Sequence, residues 1–105
     1  MYAILFSGER MANELIMDLP KGARQVGTLW DHFELKDLDQ DILQINLPND
    51  YFLDVGYFPD MEPDGMFHIV VGKDVWQNQL YVTDVKTPLD VQRVLNEQIQ
   101  IYGDK

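Results

Sequence analysis

The sequence predicts an α+β domain: an antiparallel β-meander of about four to six strands packed against a C-terminal α-helix. Three observations predict it. A helix start signal near the C-terminus is followed by apolar residues at helical spacing. Four β-type runs precede it, joined by short turn-like segments. Across three of those runs the apolar residues share one parity.

The helix has the clearest local signals. Thr87 is an N-cap residue, Pro88 sits where a missing N–H costs nothing, and Asp90 is placed to close a capping box. Val91, Val94, Leu95, Ile99 and Tyr102 then recur on one helical face, with Arg93, Glu97 and Gln100 away from it. Gly103 is a stop signal, so the spacing predicts a helix over 88–102.

Strands are predicted from Ile42 to Leu47, Tyr51 to Phe58, Phe67 to Gly72 and Leu80 to Lys86. Pro48-Asn49-Asp50 is turn chemistry between the first two. Pro59 to Gly65 forms the next connection, and Lys73 to Asn78 is read as a hairpin loop. Short connections favour sequential antiparallel pairing. Leu53, Val55, Tyr57, Phe67, Ile69, Val71, Tyr81 and Val85 share one parity and are assigned to the helix side. Asp54, Gly56, Phe58, His68, Val70, Val82 and Asp84 fall on the other, mixed face.

The first forty residues leave alternatives open. Tyr2 to Phe6 reads as a buried strand. Arg10 to Asp18 fits a short N-terminal helix carrying Met11, Leu15 and Ile16, whereas Asn13 to Leu19 fits a strand. Lys21-Gly22-Ala23 is a turn, and the alternation from Thr28 to Leu35 favours a strand.

The 105 residues fit one domain over 1–105. The absence of cysteine excludes disulfides, thiolate zinc sites and cysteine nucleophiles. The apolar run Met1 to Phe6 is short and lacks a basic flank, and no stretch is long enough to span a bilayer; a cytoplasmic location is expected.

The formal charge is −10, from 18 acidic and 8 basic residues. It is concentrated between Asp31 and Asp64, where ten acids meet one base, Lys36. Such a field disfavours nucleic acid and anionic membranes and attracts basic surfaces. Solubility is the plainer explanation of the same charge.

No segment carries a complete catalytic or metal motif. Asp37-Leu38-Asp39-Gln40-Asp41 opens like a calcium loop, but Ile42 and Pro48 stand where glycine and glutamate are needed. Asp60, Glu62, Asp64 and Gly65 make a second near-match, which ends on Val71. No metal or other cofactor is expected. Ser7, the single serine, lacks the glycine frame of a nucleophile elbow. His32 is read as a surface residue on a strand.

The meander register places His68 beside Asp84 on one strand and Gly56 on the other, with Asp54 one diagonal step away. An imidazole flanked by carboxylates is a general-base or ligand-binding candidate, with Gly56 leaving space above the sheet. An ordinary cross-strand polar pair is the competing reading.

Trp30, Phe33, Tyr51, Phe52, Tyr57 and Phe58 lie within or beside the acidic segment, at least half of them expected in the core. Aromatics ringed by acids suit a basic partner. The expected function is therefore a protein-binding module, comparable in behaviour, not in motif, to immunity proteins and nucleic-acid mimics. Asp37, Asp39, Asp41, Asp60, Glu62, Asp64 and Trp76 are its expected contacts. A homodimer joined by an edge strand or the mixed face is the second reading. An enzyme using Asp54, His68 and Asp84 is the third.

Overall fold

A computed structural model describes residues 12–105. The strand read at Tyr2 to Phe6, and Ser7, lie outside the described residues. Five strands form one antiparallel sheet in sequence order: β1 (Arg24–Gly27), β2 (Leu43–Asn46), β3 (Tyr51–Phe58), β4 (Met66–Lys73) and β5 (Val75–Val85). The helix α1 (Pro88–Tyr102) packs against β4. This is the predicted α+β meander with its C-terminal helix.

Parity organises the core. Leu43 and Ile45 of β2, Leu53, Val55 and Tyr57 of β3, and Phe67, Ile69 and Val71 of β4 are all buried on one face. Val91, Val94, Leu95 and Ile99 of α1 close over them. Each fully buried aliphatic side chain contributes about 1.5–3 kcal/mol relative to exposure. Tyr81 and Val85 pack at the margin.

The helix has the predicted boundaries. Thr87 Oγ1 accepts from the Asp90 N–H at 3.2 Å, satisfying one of the orphan donors of the first turn. Replacing Thr87 with Ala is expected to cost about 1 kcal/mol, measured as a shift in the denaturant midpoint at unchanged m-value. Gly103 ends the helix in right-handed geometry (φ −63°), its N–H bonding to Ile99 O. Asn49 Nδ2 donates to Tyr102 O at 2.8 Å and ties the β2–β3 turn to the helix end.

The N-terminal third differs from two expectations. No helix forms over the described part of Arg10 to Asp18; that segment is extended. Leu15 N–H donates to Leu29 O and Asp31 N–H to Asn13 O, with a bridge between Glu14 and Trp30. α1 holds this arm from the side, through Asn96 Oδ1 to Asp18 N–H and Gln92 Nε2 to Ile16 O. Met17 and Leu29 thereby reach the core, while Ile16 stays exposed. Thr28 to Leu35 is not a continuous strand: only Trp30 bridges, and a 3₁₀ turn follows over Leu35–Asp37.

The expected hairpin loop at Lys73 to Asn78 is also corrected. The chain reverses at Asp74 (φ 66°), and β5 begins at Val75. Asp74 N–H donates to Asp50 O, which places both turns at one end of the sheet. Trp76 therefore sits on the outer strand.

Candidate functional site

The opposite end of the sheet, where β3 ends at Phe58 and β4 begins at Met66, gathers the acidic segments. Met61 N–H donates to Leu38 O at 2.7 Å, so loops 37–41 and 59–64 lie side by side. Asp37, Asp39, Asp41, Asp60, Glu62 and Asp64 are all exposed there. Tyr57, buried in the core, donates its hydroxyl to Glu62 O at 2.6 Å and anchors the second loop from below. The field is not purely acidic. Lys86 Nζ reaches Gly65 O, and Lys36 lines the groove described next.

That groove, of about 620 Å³, is bordered by Trp30, His32 and Phe33 and by Glu34, Asp37, Asp39 and Asp41. Trp30 is 40% exposed, while Phe33 packs against Phe67 with ring centroids 5.9 Å apart. His32 Nε2 lies 3.3 Å from Glu34 Oε2 in a bend, not on a strand as the sequence suggested. Asp31 accepts from the Asn13 N–H at 2.9 Å and so braces the N-terminal arm. Of the six aromatics in or beside the acidic segment, Phe52 and Tyr57 are buried, Phe33 and Tyr51 pack against the core, and Trp30 and Phe58 are exposed.

The segment leading into β2 explains the position of Asp41. Tyr57 N–H donates to Asp39 O at 2.8 Å and Ile42 N–H to Val55 O at 3.0 Å. Gln40 and Asp41 together face the single residue Gly56 between those bonds, a bulge of one extra residue that arches over it. A Cβ at position 56 would stand 2.6 Å from Gln40 O. The Gln40 carbonyl thus takes the space directly over Gly56, and the expected opening lies beside it, in a cavity that Gly56 borders. The glycine marks a close approach of two chains, the other meaning of glycine inside a strand. Asp41 N–H also donates to Asp39 Oδ1 at 2.9 Å, which orders the turn.

On the open face, Gly56 pairs with His68 and His68 with Asp84, the predicted cross-strand row. His68 Nδ1 is 2.6 Å from Asp84 Oδ1. Both side chains are partly exposed, so the pair is a surface interaction of small net value. Phe58 meets the His68 ring edge-on at 5.7 Å. Val70 is buried, whereas Phe58 and Val82 remain exposed.

A smaller cavity, about 330 Å³, opens on this face between Gln40, Asp41, Asp54, Gly56, Phe58, His68 and Trp76. Trp76, half exposed, stacks on Phe52 at 5.9 Å with planes 22° apart. Phe52 in turn lies over Gly72, where no Cβ would fit beneath its ring. Trp76 thus folds over the sheet on a supported aromatic platform. Asp54 projects between these groups, and the described residues offer its carboxylate no hydrogen bond. Burial raises its pKa above 3.8, the nearby Asp41 charge raises it further, and His68 partly offsets both.

Among the described residues, no group of three or more His, Asp or Glu side chains is arranged to hold a metal ion. No helix among them is long and apolar enough to cross a membrane. No family model, curated protein or solved structure matches this chain.

Proposed function

We propose that this protein is a small acidic binding module that engages a basic protein partner through the end of the sheet where residues 37–41 and 59–64 meet. The hydrogen bond from Met61 to Leu38 O carries this reading, because it joins two separately acidic loops into one surface. Solubilising charge needs only to be spread over a surface. Here Asp37, Asp39 and Asp41 line one groove with the exposed ring of Trp30, and the loop that carries Asp60, Glu62 and Asp64 is bonded alongside through the exposed Met61. Charge steers such an encounter, and apolar anchors hold it.

Two variants of equal charge test the reading. One carries Asp37→Asn, Asp39→Asn and Asp41→Asn; the other carries Asp50→Asn, Asp74→Asn and Asp104→Asn at the far end. The Asp39→Asn change keeps a side-chain oxygen to accept from the residue 41 N–H, and asparagine tolerates the left-handed geometry of Asp50 and Asp74. The first set is expected to weaken binding of an arginine-rich peptide about tenfold at low salt, and the second much less. Equal loss in both would reduce the acidic segment to net charge alone.

The homodimer reading has one specific observation in its favour. β5 is an outer strand of eleven residues that leaves Val75, Leu80 and Val82 exposed. Long apolar edges invite strand pairing. Sedimentation equilibrium decides it: association lost on Val82→Lys supports an edge-paired dimer, and a monomer at high concentration removes it.

A further inference from the structure

We propose that the cavity between Asp41, Asp54, Phe58, His68 and Trp76 is an anchor pocket for one arginine side chain of the basic partner. The proposal rests on the binding-module reading and adds to it a specific contact outside the acidic loops.

The cavity has the chemistry of a guanidinium site. Its two acids, Asp41 and Asp54, come from different elements and face one space. Among the described residues no lysine or arginine lines the cavity, and His68 offsets their mutual repulsion only in part. A guanidinium would relieve it and give Asp54 the hydrogen bonds that the fold does not. Its planar fork matches a carboxylate in bidentate fashion. The Trp76 indole, held flat on Phe52, offers a face for the same plane to stack on. Gln40, whose carbonyl lies against Gly56, adds backbone to the rim.

Other ligands fit less well. Two carboxylates repel anions. The volume of about 330 Å³ is at the lower limit of small-molecule pockets and suits one side chain better than a cofactor. An ammonium would pair with the carboxylates as a point charge but would use the flat indole less fully. Asp41 borders both this cavity and the groove beside Trp30. A basic chain lying along the groove could therefore place one arginine here.

The test is an NMR titration of the full chain with N-acetyl-arginine amide at low salt, with N-acetyl-lysine amide as the parallel probe. The expected result is saturable binding with Kd on the order of 1 mM. Shifts should centre on the Gly56 and His68 amides and the Trp76 indole N–H. The lysine probe should bind about threefold more weakly. Asp54→Asn should weaken the arginine probe about tenfold, and Trp76→Ala about threefold or more. Both positions are accessible enough for the variants to fold, which their unchanged amide dispersion would verify. Shifts that centre on Trp30, equal binding of the two probes, or an unaltered titration in Asp54→Asn would each overturn the pocket. If the pocket fails while the arginine-rich peptide still separates the two equal-charge variants, the binding-module reading stands. If the peptide does not separate them, that reading fails whatever the pocket does.

Discussion

Replacing Gly56 with Ala is expected to destabilise the fold by about 1–3 kcal/mol and to weaken binding at the acidic end in the same variant. The new methyl would stand 2.6 Å from Gln40 O and 3.1 Å from Gln40 C. Both are backbone atoms, so no rotamer change relieves the clash. The bulge over residues 40 and 41 must lift, straining the bonds from Tyr57 to Asp39 and from Ile42 to Val55. Lifting it moves Asp39 and Asp41 out of the groove and takes Asp41 away from the cavity. Chemical denaturation measures the first effect and titration with the arginine-rich peptide the second. Loss of stability with binding intact would mean that the bulge does not position the acids.

Asp54→Asn is expected to act in opposite directions on stability and on binding. Burial and the Asp41 charge raise the Asp54 pKa in the folded protein above its ordinary value. The ionised form is thus disfavoured by folding, the reverse of a carboxylate held in an ion pair. Its cost to stability is absent below the unfolded pKa of about 3.8, grows as pH rises to the raised folded value, and stays constant above it. Asparagine removes that cost. The variant should melt at a higher temperature than the parent at neutral pH, with the advantage fading as the pH falls toward 4. Its affinity for arginine should fall. A residue that weakens the fold where it stands and strengthens a contact elsewhere has the trade-off expected of a binding group. A lower melting temperature for Asp54→Asn at neutral pH would show that the carboxylate has a structural partner after all.

The parts of the fold that were legible in the sequence are those whose signals are local or whose strands bury one face. α1 carried its cap, its proline and its apolar stripe within sixteen residues of chain, and its boundaries match. β3 was read over its full length because Leu53, Val55 and Tyr57 alternate against Asp54 and Gly56. β1 carries no strand signal in the sequence, and the first half of β5 reads as loop. Both are outer strands, where solvent removes the alternation. The polar run Gln77-Asn78-Gln79 falls where the pairing with β4 is irregular, between Val75 opposite Lys73 and Gln79 opposite Gly72. The N-terminal arm has helical spacing, but tertiary bonds from Leu29, Gln92 and Asn96 hold it extended.

The candidate site was legible to the same degree. The row Gly56–His68–Asp84 followed from parity and loop length, which together set the register of a meander. The role of Gly56 did not, because glycine in a strand signals either a cavity or a close approach, and only tertiary structure chooses between them. Gln40 carried no signal. The position of Asp41 between groove and cavity depends on a bulge that the polar run Asp37 to Asp41 disguises. The pairing of the two acidic loops through Met61 and Leu38 is a long-range backbone contact, invisible to pattern.

The most direct test of the acidic end as a binding surface is capture of partners from the native host's lysate at low salt. The parent and the two equal-charge variants are compared side by side and eluted with a salt gradient. The expected result is one basic protein, released at a defined salt concentration, that the Asp50, Asp74 and Asp104 variant retains and the Asp37, Asp39 and Asp41 variant loses. A protein retained equally by both variants, or no specific protein on the parent, would contradict it.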